Sequence, residues 1–375
     1  MKKLIFRRFI FDAFFAFVLL SFSLSLIVWV IQAVNYLDFV SEDGHGFKVY
    51  FLYTLLNFPK ILTKLFLVCL FISLYYIIVK YEDNNELSIY WTIGISKLQF
   101  INKIILFSLF LVFLQFILNS FVSPITQNIG KSFIRSSNID FFPSLIKERK
   151  FIDTLSNLTI YVDEQIENKK ILKNILIKDQ KNDGEEFQII IAKEGKIIKR
   201  NNRNFLILLN GEIYSTSNQK DFSNFSFENL EFNLSKFGSK TMLTPKIQEN
   251  SSSNIIKCFL NNINNRNKYF INQKELVCTL DSNKDITQEI FRRFFLPLYV
   301  PVICLISCLL LVNNKFNKYY NLNKIIIFIF GFFIIFFSEV IIKYSGNELI
   351  NDFVIITFPI ILLLTLYLFL LRKTS

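Results

Sequence analysis

The stretch Leu65-Phe-Leu-Val-Cys-Leu-Phe-Ile-Ser-Leu-Tyr-Tyr-Ile-Ile-Val, ending at Val79, lies between Lys64 and Lys80 and holds no charge. With the turn that Pro59 opens, it makes an apolar run over 59–79. About 20 such residues, at roughly 1.5 Å each, cross a hydrocarbon core of roughly 30 Å. Five more runs pass the same test, at 11–34, 103–124, 296–312, 324–343 and 353–371. Across all 375 residues, 52% are apolar, 45 are Phe and the mean hydropathy is +0.39, which excludes an ordinary soluble domain. The first run is too long for a signal-peptide core and has no small-residue cleavage site after it. It is therefore expected to be a retained membrane helix.

Lys and Arg resist translocation, so short loops rich in them are expected on the inner side. With the N-terminus inside, that side gathers Lys2, Lys3, Arg7, Arg8, Lys80, Lys97, Lys103, Lys315, Lys318, Lys324, Arg372 and Lys373, against Lys48 and Lys343 outside. Both termini are then expected in the cytoplasm and residues 125–290 outside. This middle third carries 24 Lys/Arg against 20 Asp/Glu, so the chain's formal charge of +12 is mostly topological. It offers no basic stripe with interleaved aromatics for nucleic acid.

The middle third turns to Asn, Lys and Ser with short β-type runs. Asn157-Leu-Thr-Ile-Tyr-Val-Asp-Glu alternates apolar and polar residues, as a half-buried strand should. Lys173–Asp179, Phe187–Lys193 and Phe222–Leu234 repeat the pattern, and Asn210-Gly211 inside Phe205–Tyr214 is a hairpin signal. The fold class expected is a membrane α-helical bundle of six transmembrane helices with an inserted all-β domain, a sandwich or open jelly roll. Residues 1–124 hold helices 1–3, residues 125–290 the β domain and a partly helical return linker, and residues 291–375 helices 4–6.

Cys69, Cys304 and Cys308 lie inside spans, where a thiol is most simply an apolar packing residue. Cys258 and Cys278 lie outside and could form a disulfide. The single histidine, His45, sits in Glu42-Asp-Gly-His-Gly with no second ligand nearby, which favours a solvated turn over a metal site. Phe237-Gly-Ser-Lys-Thr lacks the upstream glycine of a phosphate loop. No catalytic residue, metal or cofactor is expected.

The inner loop Tyr81-Glu-Asp-Asn-Asn-Glu-Leu-Ser-Ile-Tyr-Trp-Thr-Ile-Gly predicts a short helix over about 82–94. Asn84 or Asn85 can cap it, Glu82, Asp83 and Glu86 complement its N-terminal dipole, and Gly94 can end it. Leu87, Tyr90 and Trp91 share one apolar face. That face suits the headgroup layer, with Trp91 as anchor, or a groove on a cytoplasmic partner; spacing alone does not choose between them.

Asn85-Glu-Leu, with Gly94 eight residues after Glu86, resembles the Ser-Glu-Leu…Gly coupling segment of the LptF/LptG permeases of the lipopolysaccharide exporter. Glu289-Ile-Phe-Arg-Arg-Phe-Phe-Leu-Pro-Leu resembles that family's Glu-Leu-His-Arg-Arg-Leu-Ala-x-Pro-Leu signature, with Glu289, Arg292, Arg293, Pro297 and Leu298 matching. Trp91 stands where the family usually has Arg and Phe291 where it usually has His, so contacts of those side chains do not carry over. Phe151-Ile-Asp-Thr-Leu-Ser-Asn-Leu-Thr-Ile-Tyr-Val-Asp-Glu, Ile190-Ile-Ala-Lys-Glu-Gly and Asn210-Gly-Glu are closer to LptF than to LptG.

The resemblance implies an inner-membrane ABC exporter. LptF and an LptG-like permease form the cavity, an LptB-like ATPase dimer hydrolyses ATP beneath, and an LptC-like bridge protein joins the periplasmic β domains. The chain would then be a permease subunit, not an enzyme, that passes lipopolysaccharide or a related glycolipid to the bridge. An LptG-type partner subunit or another exporter permease is the nearest alternative. A membrane-anchored sensor or scaffold is disfavoured by the short inner segments, and a membrane transferase by the lack of converging His, paired acids or reactive Cys.

Lys60 and Lys64 fall one turn apart on one face near the outer end of the second span, and Arg292 and Arg293 open the fourth. They can snorkel at the interface, or form an electropositive rim for the phosphates of a glycolipid. Glu289 can instead pair with the arginines and fix the helix entry.

Overall fold

The computed structural model describes residues 2–37, 46–137, 148–155, 157–166, 171–180, 187–200, 203–217, 221–234, 247–263, 283–312, 318–346 and 349–374. His45, Cys278 and the 237–241 segment lie outside the described residues.

Six helices among the described residues are long and apolar enough to cross a membrane, and they comprise most of the chain's two outer thirds. The first is α1 (Lys2–Asn35). The second joins α2 (Phe47–Leu56) to α3 (Phe58–Asp83), with Pro59 in the first turn of α3 as its fixed φ favours. A short α4 (Glu86–Thr92) leads to the third span, where α5 (Lys97–Ile117) passes through a π turn (Leu118–Val122) into α6 (Ser123–Ser137). After the strands come α7 (Ser252–Ile263) and α8 (Asn283–Phe294), and then the 3₁₀ turn Leu296–Leu298, which contains Pro297. The chain ends in α9 (Tyr299–Cys308), α10 (Tyr320–Lys343) and α11 (Leu349–Thr374). The helices outrun the apolar segments because backbone hydrogen bonding continues into polar turns that a hydropathy window discounts.

The chain divides into two compact units. The first comprises Met1–Ile31, Asn57–Asn128 and Lys246–Ser375. At its centre α9 is buried along its whole length against α3, α5, α10 and α11. Cys69, Cys304 and Cys308 are free thiols inside this packing. Cys258 is disulfide-bonded; its expected partner, Cys278, is among the residues not described.

The second unit comprises Gln32–Leu56 and Ile129–Pro245. It holds one antiparallel sheet of β1 (Lys150–Leu155), β2 (Leu158–Ile166), β3 (Ile171–Gln180), β4 (Phe187–Arg200), β5 (Arg203–Ser217) and β6 (Asp221–Asn233), paired in chain order. Ile160, Val162, Ile175, Ile177, Ile190, Leu206 and Leu208 form its buried face. Of the two expected forms, the described strands match the open one, a single sheet with edges at β1 and β6.

Asn210-Gly211 is not a hairpin turn. β5 runs through it, and the chain reverses where Arg200 pairs with Arg203 and where Ser217 pairs with Asp221. Ladder pairs flank a row made of Asp163, Asn174, Lys193, Asn210 and Glu228 in unchanged register, without passing through it. Asn174 and Asn210 within that row have φ of 48° and 51°. The left-handed tolerance that makes Asn-Gly a turn signal here creases a long strand instead. A Cβ on Gly211 would stand 2.3 Å from the Ile191 carbonyl oxygen, so only glycine fits beside the crease.

Candidate functional site

A polar cleft of about 270 Å³ lies in the first unit, at the end of the bundle from which residue 128 leaves and to which residue 246 returns. Lys60 and Lys64 reach it from the first turns of α3, and Arg292 and Arg293 from α8. All four cations singled out in the sequence thus line one space. Glu289, Glu339, Asn119 and Gln127 share it. Sequence reasoning missed Glu339; its signal was an acid inside the otherwise apolar fifth span. Asn119 belongs to the π turn, a local underwinding that no periodicity announces.

The four cations are not equivalent. Arg293 is about 2% exposed along its side chain, and each of its three nitrogens is engaged. Its Nε donates to Glu289 Oε1 at 2.9 Å, Nη1 to the Asn250 carbonyl at 3.0 Å and to Ser252 Oγ at 2.9 Å, and Nη2 to the Gln248 carbonyl at 3.0 Å. Ser252 Oγ passes the chain on, donating to the Ser120 carbonyl within the π turn at 2.5 Å. Arg293 therefore binds α8 to the start of α7 and to the third span, so its donors are spent inside the fold.

Arg292 sits 3.5 Å from Glu289 Oε2 and is about one-third exposed. Once Glu289 and Arg293 neutralise each other, Lys60, Lys64 and Arg292 face Glu339, and the cleft is left net positive. Fixed cations under partial desolvation attract phosphates and carboxylates more strongly than the same charges in bulk water.

The opposite end of the bundle carries α4. Asn85 has φ 58° and makes no side-chain cap. Its N–H donates to the Glu82 carbonyl at 3.0 Å, so Asn85 is at once the left-handed residue that ends α3 and the residue at the N-cap position of α4, one of the two expected there. The Asn84 side chain donates to Glu86 at 3.2 Å instead, and Asp83 pairs with Lys324 at 3.0 Å. Gly94, at φ 79°, does end α4: its N–H bonds the Trp91 carbonyl at 3.0 Å while that of Ile95 bonds the Tyr90 carbonyl at 3.1 Å.

The Leu87/Tyr90/Trp91 face packs against the chain's own bundle. Leu87 and Tyr90 are buried, Trp91 partly so, and Glu82 is half-covered. Tyr90 meets Phe6 edge-on at 6.1 Å and Phe100 at 5.6 Å, while Trp91 meets Phe100 at 6.0 Å. Burial, with Glu86 second, pushes the Tyr90 phenol up to about 12, so it stays neutral and donates to the Ile5 carbonyl at 3.2 Å. The outward face is Ser88, Ile89 and Thr92, with Ile89 about 54% exposed. The spacing groups the inward residues correctly but does not say that their own bundle covers them.

Among the described residues, no group of three or more His, Cys, Asp or Glu side chains could hold a metal ion.

The family described as "Lipopolysaccharide export system permease LptF/LptG" matches residues 7–373. The chain is also similar to the uncharacterized protein RP871 of Rickettsia prowazekii (strain Madrid E), with 22% identity over 237 residues. That match covers 63% of this chain and 64% of the relative, just under two thirds of the relative's length.

Proposed function

The chain belongs to the LptF/LptG family of lipopolysaccharide export permeases, and from that premise we propose that it is an LptF-type, non-enzymatic subunit supplying half of the path by which a glycolipid leaves the inner membrane. An LptG-like permease completes the cavity, and an LptB-like ATPase dimer docks at the α4 end. An LptC-like bridge protein adds a strand at an edge of the described sheet, at β1 or β6. Both termini and α4 are cytoplasmic, and the β domain is periplasmic. The disulfide at Cys258 supports this orientation, because such bonds persist in oxidising compartments.

The meeting of Lys60, Lys64 and Arg292 in one net-positive cleft carries this reading. A multiply phosphorylated lipid leaves a headgroup layer in which divalent ions neutralise it, and fixed cations at the bundle end replace those ions as it enters. Arg293 and Glu289 shape the cleft without touching the lipid. The α4 aromatics transmit the partner's motion: Tyr81, Tyr90 and Phe100 link α3, α4 and α5 to Phe9 of α1, with Phe9 lying 5.2 Å from Tyr81 and 4.8 Å from Phe100. A push on the outward face of α4 thus reaches three spans.

Photocrosslinkers at positions 60 and 64 should capture glycolipid in membranes. The Lys60→Gln/Lys64→Gln variant should lower its transport several-fold, more so at low ionic strength, while basal ATP hydrolysis by the complex changes little. Labelling of bulk phospholipid only, together with normal transport by the double variant, would reduce these lysines to interfacial anchors.

A further inference from the structure

A second groove, apart from the cleft, runs between α1 and α5. It has a volume of about 640 Å³, within the roughly 300–1,000 Å³ typical of small-molecule sites. Its walls are almost wholly apolar: Phe6, Phe11, Phe14, Leu106, Phe107 and Phe110, with Phe14 set between Phe107 and Phe110 at 6.5 Å from each. Two exposed cations, Arg7 of α1 and Lys103 of α5, line the same groove.

These cations lie at the end of the bundle that carries α4. Tyr90 of α4 bonds the Ile5 carbonyl, and Phe6, a wall residue, packs on Tyr90. Lys103 falls in the second turn of α5, the helix that begins just after α4. Lys60 and Lys64 stand at the other end of α3, a helix of 26 residues and so roughly 39 Å long.

An apolar trough beside two cations at a bundle end has the complementarity of one ligand class: an acyl chain joined to an anionic headgroup. We infer that the groove between α1 and α5 is a binding site for an anionic glycerophospholipid, its phosphate between Arg7 and Lys103 and an acyl chain along the phenylalanine wall. The guanidinium offers forked donors to phosphate oxygens and Lys103 adds a point charge. A zwitterionic lipid fills the trough equally well but brings its own cation to the arginine, so the headgroup sets the preference. Because Phe6 belongs to both the groove and the α4 packing, the bound lipid would brace that helix against α1.

The test uses the full-length chain in nanodiscs made from equal parts phosphatidylglycerol and phosphatidylcholine. Mild-detergent release and native mass spectrometry then count the lipids that remain bound. The wild-type chain should retain phosphatidylglycerol selectively. That selectivity should fall roughly 5-fold for each cation removed in Arg7→Gln and Lys103→Gln. Leu106→Trp, which fills the trough, should abolish retention of either lipid. Added salt should weaken the wild-type preference; this arm needs no variant to fold. Equal retention of both lipids by the wild-type chain would mean annular lipid only. Selectivity unchanged by salt or in the Arg7→Gln/Lys103→Gln variant, or displacement by inorganic phosphate alone, would also overturn the assignment.

Discussion

The cleft and the loop helix α4 stand at opposite ends of one bundle and dispose of their side chains by opposite rules. At the cleft, charges from α3 and α8 converge, and the most deeply buried of them, Arg293, is paired with Glu289 and donates to Gln248, Asn250 and Ser252. At α4, apolar side chains turn inward against Phe6 and Phe100, and the outward face is Ser88, Ile89 and Thr92. A charge at a helix end in a membrane has few places to go: water, a partner, or a costly burial. An apolar face at the interface has a nearer option, the bundle to which it is already tethered. Buried charge therefore reports on architecture, and the residues left outside by apolar packing report on partners.

The sharpest way to break this contrast is Arg293→Met, which leaves the buried Glu289 with only the longer, more exposed contact to Arg292 and should cost about 3–5 kcal/mol. Thermal unfolding in detergent measures it, and the double variant Glu289→Gln/Arg293→Met should recover part of the loss. A single variant as stable as the wild type would mean that the pair does not hold the cleft. Leu87→Ala comes next, at about 2–5 kcal/mol of stability for a buried leucine. Ile89→Asp should leave stability unchanged while weakening co-purification of the ATPase partner roughly tenfold, about 1–2 kcal/mol. If Leu87→Ala alters only partner binding and Ile89→Asp only stability, the two faces of α4 have been assigned the wrong way round. Smallest is Gly94→Ala, where φ 79° penalises a Cβ by about 1 kcal/mol. It should loosen α4 without unfolding the bundle, seen as faster hydrogen exchange at the amides of residues 94 and 95.

The six spans were legible because lipid demands long charge-free runs, and four of the strands because a half-buried sheet enforces alternation. Asn210-Gly211 misled for a physical reason: positive φ serves a turn and a crease equally, and only the pairing of Arg200 with Arg203 decides which. Asn85 takes the N-cap position that the spacing offered, but a residue between two helices also stops the first, and its left-handed backbone comes without a side-chain cap. At the site, residue types and helical spacing brought Lys60, Lys64, Arg292 and Arg293 into view. That Arg293 spends its donors on Gln248, Asn250 and Ser252 depends on a contact 41 to 45 residues away, which no local pattern encodes. Glu339 and Asn119 join the cleft through tertiary packing alone.

The separation of Arg293's partners along the chain also orders its biosynthesis. Glu289, four residues ahead, can neutralise the guanidinium as soon as α8 forms, before the fourth span has left the insertion machinery. The carbonyls of Gln248 and Asn250, earlier in the chain, have by then already been synthesised, and Arg293 captures them. Insertion of the fourth span thus doubles as the step that fastens the returning segment. A chain ending before residue 293 would have its β strands complete but would lack the side chain that ties residues 248–252 to α8.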